Sequence, residues 1–185
     1  GELSARWSHH LPDSISAWTQ RTDGAAIAAG TAAGEVVVLD ATGVAQWRSR
    51  RAAAITAIVF CEQDLLVGTR AGEVCRFGPT GGQLWCYTCQ FRPERAFWPW
   101  WFLSTPVVGA LAAGRDPISG QQVVAVGTGS TSLNFLEAET GRLIDDVVSP
   151  YGLPDQIQAH VPHHTGEMVF LVGHSWLTCG SSVRA

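Results

Sequence analysis

Histidines gather in one short segment near the end of the chain, where they could hold a metal ion. His160, His163 and His164 lie close together, and His174 follows soon after. Neutral imidazole is a ligand for zinc and copper, and residues 160 and 164 would share one face of a strand. Pro162, however, disfavours a strand interior, and loop histidines without an orienting carboxylate are usually solvated. We therefore predict no bound metal and keep His160, His163 and His164 as candidate ligands.

Cys86 and Cys89 have the Cys-x-x-Cys spacing of a redox pair or of half a zinc site. Here the spacing follows Trp85 in a predicted outer strand, whereas a redox pair opens a helix. Residues three apart on a strand point to opposite faces, so strand packing is the favoured interpretation. The five cysteines of the chain lack the spacing of a disulfide scaffold. That absence favours a reducing compartment, and hence the cytoplasm.

Other chemical sites lack their full residue sets. Asp116 begins a polar turn, but calcium needs several oxygen ligands, and Asp116 is the only carboxylate in the segment that ends at Gly120. The sequence contains no nucleophile elbow, no zinc-protease motif and no phosphate-binding loop. We therefore predict a protein that is not an enzyme and that has neither catalytic nor cofactor-binding residues.

An aromatic segment from Phe97 to Phe102 is the remaining candidate site. It lies within residues 91–103, a stretch that the repeat described below does not require, and binding is often built on such loops. Trp98, Trp100 and Trp101 offer large contact areas at low entropic cost, which suits a protein partner. The alternative is that the three indoles fold over the neighbouring strands as a local apolar cluster.

The composition limits the classes of partner. The 185 residues are 46% hydrophobic and only 15% charged, with a formal net charge of -4. A chain of this size and composition buries a large core in a single domain. The acidic balance argues against nucleic-acid binding, and no apolar run reaches the roughly 18 residues of a spanning helix. We expect a globular chain with no nucleic-acid partner and no membrane span.

A repeat of 38 residues organises the chain. The segment that begins at Gly30 recurs from Gly68, and a third copy begins at Gly127. The same offset relates a Thr-Gly pair and a tryptophan in the first two copies: Thr42-Gly43 with Thr80-Gly81, and Trp47 with Trp85. The third copy has one inserted residue, and Asp145 takes the position of the tryptophan.

Each copy has the pattern of short strands joined by tight turns. Segments rich in Ala and Val alternate with glycine-containing turns, and one further strand precedes each unit. Four strands per repeat, arranged radially, form the blade of a β-propeller. We therefore predict an all-β chain of about four blades, each of four antiparallel strands. The predicted repeat units are residues 12–50, 51–90, 104–149 and 153–185, and the aromatic insert is residues 91–103.

The turn and the tryptophan that follows it resemble the repeat of the pyrroloquinoline-quinone-like propellers. The consensus Ala-x-Asp-x-x-Thr-Gly-Lys-x-x-Trp is matched at Asp40, Thr42, Gly43 and Trp47. The resemblance implies a propeller, a fold that quinoprotein dehydrogenases, assembly scaffolds and sensor domains share. WD-repeat propellers are the second choice, because no Trp-Asp pair occurs in the sequence.

The favoured function is a non-catalytic scaffold that binds a protein or another ligand. The alternative is a fragment of a quinone-dependent dehydrogenase, for which the resemblance implies two adjacent cysteines that this sequence lacks. Four blades of this repeat would make a tight ring. We therefore expect the chain to be an arc of a larger ring of seven or eight blades, with further blades outside it.

Overall fold

Every regular element that the structure describes is a β-strand. The computed structural model describes residues 7–90, 106–148, 154–163, 166–174 and 177–184. Within these ranges no helix has the length and the apolar character that a membrane crossing requires. The prediction of an all-β chain is confirmed.

Four antiparallel sheets follow one another along the chain, and each is a simple up-and-down meander. The first sheet comprises β1 (Ile15–Gln20), β2 (Ala26–Thr31), β3 (Glu35–Asp40) and β4 (Ala45–Arg50). The second comprises β5 (Ile55–Cys61), β6 (Asp64–Thr69), β7 (Glu73–Phe77) and β8 (Gln83–Thr88). The third comprises β9 (Val108–Arg115), β10 (Gln122–Thr128), β11 (Ser132–Glu137) and β12 (Leu143–Val148). Among the described residues the fourth has three strands, β13 (Pro154–His160), β14 (Val169–His174) and β15 (Leu177–Arg184).

The innermost strands of successive sheets pack beside one another. Strand β1 contacts β5, β5 contacts β9, and β9 contacts β13. Sheets whose first strands gather in this way are the blades of a β-propeller. The predicted fold class is therefore confirmed, with three four-stranded blades and a partial fourth.

The core lies between the blades. One buried cluster joins the first and second blades, a second cluster joins the second and third, and a third joins the third and fourth. The middle strands β2, β3, β6 and β7 are buried on both faces, which explains their continuous apolar runs. The outer strands β4 and β8 alternate between half-buried and exposed residues, because only one of their faces packs.

A threonine fixes the hairpin between the two middle strands of the first and of the second blade. The hydroxyl oxygen of Thr31 accepts a hydrogen bond from the backbone N–H of Glu35 at 3.0 Å, and Thr69 accepts one from Glu73 at 3.1 Å. Gly34 closes the first of these turns with a φ of 86°, a conformation that favours glycine. The Gly-Thr pair of the repeat is thus a hairpin device, and it sets the register of the strands on either side.

Candidate functional site

The candidate histidines do not form a metal site among the residues that the structure describes. His160 ends β13 and His163 follows in a turn, and both side chains are exposed. Neither belongs to a group of three metal-ligating side chains within the described ranges. His164 lies outside those ranges, as do Trp98, Trp100 and Trp101, so the predicted partner surface on the aromatic insert stays a prediction.

The interpretation of the cysteines needs a correction, because Cys75 and Cys86 form a disulfide. The two residues are directly opposite each other on β7 and β8, with their Cα atoms 4.0 Å apart. Sequence spacing does not reveal this register, which is why the pairing was not predicted. The disulfide also removes the argument from cysteine spacing for a reducing compartment.

Cys89 is not a redox partner of Cys86. Cys89 is a buried free thiol just beyond the end of β8, and burial raises its pKa to about 12. Cys61 is also buried and free, and burial raises its pKa to about 11. Thiolates are the reactive form of cysteine, so both thiols are inert at neutral pH.

Glu73, Cys75 and Cys86 form the one cluster of metal-ligating types within the described ranges. Two of its members are consumed by the disulfide, and a disulfide sulfur is a poor ligand. The guanidinium of Arg51 lies 3.0 Å from the carboxylate of Glu73, where it takes the place that a cation would need. The cluster does not fit a metal ion.

Carboxylates in the turns between strands accept hydrogen bonds from other residues of the same turn. Asp40 Oδ1 accepts hydrogen bonds from the hydroxyl of Thr42 at 2.6 Å and from the backbone N–H of Val44 at 3.0 Å. These bonds favour the charged form and hold the pKa of Asp40 below its ordinary value. Hydroxyl donors in their own turns likewise lower the pKa of Asp116 and of Glu137. Asp116, the former calcium candidate, therefore serves a turn of its own blade.

Each blade packs against the next at a glycine, and we call the space above that glycine a glycine socket. The first residue of an inner strand lies against a glycine of the preceding blade in three pairs: Ile55 with Gly30, Val108 with Gly68, and Pro154 with Gly127. A Cβ atom on Gly30 would lie 2.3 Å from Cγ2 of Ile55, so no larger residue fits there. Ile55 is completely buried in this contact.

A tryptophan also contacts the blade that follows it: Trp47 and Trp85 lie on the outer strands β4 and β8, and Trp7 lies before the first strand. The indole covers the turn glycine of the following copy in three pairs: Trp7 with Gly43, Trp47 with Gly81, and Trp85 with Gly141. The indole N–H of Trp7 donates to the carbonyl of Ala41 at 3.0 Å, and that of Trp85 donates to Ala138 at 2.7 Å. The predicted equivalence of Trp47 and Trp85 is confirmed, although both side chains are half-buried rather than buried.

The outward face of the first blade carries the same contact residues but meets no other blade among the described residues, although Trp7 and Leu11 pack against part of it. Ile15 pairs with Thr31 as Ile55 pairs with Thr69, so Ile15 and Ile55 are equivalent positions. Ile15 is 56% exposed whereas Ile55 is 0% exposed, and Trp18 is 68% exposed. We call Ile15 and Trp18 the open face.

In the fourth blade, the glycine equivalent to Gly30 contacts no inner-strand residue of another blade among the described residues. Gly173 occupies the position in the fourth blade that Gly30 occupies in the first, and a Cβ on it would meet Gln156 and Asp155 of its own blade. Among the described residues, the blades therefore form an open arc. The sequence did not name these residues, because Ile15 and Ile55 are 40 residues apart whereas the repeat offset is 38; the strand pairing establishes their equivalence.

Comparisons with known proteins support the fold and nothing finer. No family model matches the sequence, and no curated protein matches it. The computationally designed Ika4 protein is 16% identical with a TM-score of 0.71, and the match covers 95% of this chain and 93% of Ika4. BamB from Moraxella catarrhalis is 18% identical with a TM-score of 0.64, covering 91% of this chain and 46% of BamB.

A WD-repeat structure gives a similar match. The WD40 repeats of RRP9 are 11% identical with a TM-score of 0.67, covering 96% of this chain and 53% of RRP9. The chain thus spans nearly the whole of Ika4 but about half the length of the other two proteins. Likenesses at such low identity establish the β-propeller fold alone.

Proposed function

We propose that this chain is a non-catalytic binding scaffold whose open face packs against a further propeller blade. The observation that carries the proposal is the exposure of Ile15 and Trp18 at positions whose equivalents are buried. Ile58 corresponds to Trp18 in the second blade and is only 9% exposed. A neighbouring pair of large exposed apolar side chains is typical of an interaction surface.

The shape of the open face favours a β-sheet as its partner. Ile55 inserts into a glycine socket on a strand of the preceding blade, and Ile15 projects from the same position of the repeat. A matching strand therefore needs a glycine opposite Ile15, which is what propeller blades of this repeat supply. The half-length match to BamB and RRP9 also supports further blades, whether in the same chain or in another.

The type of repeat is part of the same proposal. Asp40 caps its turn through the hydroxyl of Thr42, and Trp47 covers Gly81 in the next blade. The Asp, Thr, Gly and Trp of the consensus thus each have a structural task here. Those tasks support assignment to the pyrroloquinoline-quinone-like repeats over the WD repeats, and none of them requires a bound quinone.

Photocrosslinking tests the open face. Benzoylphenylalanine replaces Trp18 in the tagged full chain, and in a control protein it replaces Val44, an exposed apolar residue of a turn. We expect position 18 to crosslink to a peptide that mass spectrometry identifies as a glycine-containing propeller strand, and position 44 to give no such product. Equal products from both positions, or none from position 18, would reject the open face as the binding surface.

An activity assay tests the non-catalytic part. The chain is incubated with primary alcohols, added pyrroloquinoline quinone and calcium, and an artificial electron acceptor. We expect no acceptor reduction above that of the cofactor alone. Turnover that requires both protein and quinone would replace the scaffold proposal with the dehydrogenase alternative.

A further inference from the structure

The groove between the third and fourth blades lacks the tryptophan that lines the corresponding groove between the first and second. Asp145 on β12 lies opposite Phe135 on β11. In the first blade, Trp47 on β4 lies opposite Val38 on β3, so Asp145 and Trp47 occupy equivalent positions. The first groove has a volume of about 400 Å³ and Trp47 is part of its wall. The second has a volume of about 430 Å³ and Asp145 is part of its wall. Equivalent places in the repeat thus have different chemistry.

The groove that Asp145 lines has an apolar floor and an apolar rim. Phe135 and Met168 are buried beneath it, and the ring of Phe135 contacts that of Phe170 with centroids 5.7 Å apart. Ile118 and Ile144 stand exposed at its edge. A volume of about 430 Å³ lies within the roughly 300–1,000 Å³ range of small-ligand pockets. The groove has the size and the lining to hold an aromatic ring.

Among the described residues that line this groove, the charged side chains are all acidic. Asp116, Asp145 and Glu167 line it, and none of its described lining residues is basic. The groove beside Trp47 instead carries Arg21. Asp145 Oδ1 accepts the backbone N–H of Asp146 at 2.8 Å, and a carboxylate has room for further donors. An ammonium group therefore fits beside Asp145, whereas a second carboxylate does not.

We propose that this groove binds a small aromatic ligand that carries an alkylammonium group, with the ring over Phe135 and Met168 and the cation beside Asp145. The ligand ring adds to this groove the aromatic surface that Trp47 gives to the wall of the first groove. The site lies far along the chain from the open face. It does not depend on the scaffold proposal, and the experiments below do not involve Ile15 or Trp18.

A single label reports on the groove, because Met168 is the only methionine of the chain. The full chain is labelled with ¹³C-methyl methionine and titrated with tryptamine, and in parallel with tryptophol, which has a hydroxyl in place of the ammonium. We expect tryptamine to shift the Met168 methyl signal by ring currents in a saturable manner. We expect tryptophol to bind at least fivefold more weakly. Saturable tryptamine binding by calorimetry that leaves the Met168 signal in place would put the ligand elsewhere and overturn the proposal.

Substitutions at Asp145 separate the cation from the ring. In D145N, tryptamine should lose its preference over tryptophol, while tryptophol binds as it does to the wild-type chain. In D145W, which gives this groove the wall residue of the first groove and removes its carboxylate, tryptamine should likewise lose its preference over tryptophol. D13N removes an exposed carboxylate elsewhere and should bind both compounds normally. Circular dichroism checks that each variant is folded, and the D145N comparison decides the outcome if D145W is not. An unchanged preference in folded D145N, or no binding of tryptamine to the wild-type chain, rejects the proposal.

Discussion

The two sides of the first blade carry the same repeat residues in opposite environments. On one side, Gly30 receives Ile55 of the second blade, which is completely buried. On the other, Ile15 and Trp18 occupy the same kind of position and are largely exposed. The difference shows that a blade is only half of a packing unit. Its inner-strand residues become core when a neighbour with a glycine socket is present.

Such nearest-neighbour packing is how repeat proteins distribute stability. The first two junctions each combine a glycine contact near the centre with an indole contact near the rim: between the first two blades, Ile55 lies against Gly30 and Trp47 lies over Gly81. The junction between the third and fourth blades keeps the socket contact of Pro154 but has Asp145 at the position of the indole. Junctions between blades therefore also differ: those with both contacts are complete, and the junction between the third and fourth blades lacks the indole contact.

The largest effect is expected where a covered contact is removed. Ile55→Ala should lower the free energy of unfolding by about 3 kcal/mol, because it deletes a buried side chain and leaves a cavity against Gly30. Ile15→Ala, the same substitution at the equivalent exposed position, should change it by less than about 0.5 kcal/mol. Urea unfolding of dilute protein measures both. A large loss for Ile15→Ala would mean that the open face is covered in solution, and the comparison would break.

Much of this fold was predictable because the repeat carries its own register. Gly30 and Gly68, with the Thr-Gly turns that follow, predicted the hairpins and the blade, and the structure confirms them. The Trp47 and Trp85 positions were also predicted from the offset. Features that depend on which residues face each other across two strands could not be predicted, because the spacing of residues in the sequence does not determine that register. The disulfide of Cys75 with Cys86 is one example, since it follows from the register of β7 and β8.

The open face was predicted only in outline, because an arc of a larger ring must leave one face of its first blade uncovered, whereas the residues on that face could not be named. Ile15 and Ile55 are the same residue type at equivalent places, so sequence alone gives them the same environment. Only the presence or absence of a neighbouring blade distinguishes them. The groove beside Asp145 is intermediate, because the missing tryptophan was visible in the sequence. That Phe135 and Met168 line a groove there, together with three carboxylates, required the structure.

A medium effect is expected at the rim of the junction. Trp47→Ala should lower the free energy of unfolding by about 2–3 kcal/mol, below the usual range for a buried indole, because Trp47 is half-buried. The substitution removes the contact between the indole and the ring of Phe77, whose centroids are 5.7 Å apart, and the contact between the indole and Gly81. Asp145→Ala is the matched control at the equivalent position, and should cost less than about 0.5 kcal/mol. Similar losses for both variants would show that the indole does not hold its junction together.

The smallest effect concerns the turn that brings Gly43 beneath Trp7. The pKa of Asp40 is lowered by the hydroxyl of Thr42 and by backbone N–H groups, so the folded chain binds this proton less readily than the unfolded chain. The resulting stabilisation is present above the unfolded pKa of Asp and is lost as the pH falls through the lower folded value.

The variant Asp40→Asn tests this contribution, because it keeps an oxygen that accepts hydrogen bonds but removes the charge that strengthens them. The variant should therefore have a slightly lower urea midpoint than the wild-type chain at pH 6, and the gap should narrow as the pH falls below the unfolded pKa of Asp. D13N, which removes a carboxylate outside these turns, is the control and should show no such narrowing gap. A gap between Asp40→Asn and wild type that stays constant from pH 6 to pH 3 would show that the charge of Asp40 does not stabilise the turn.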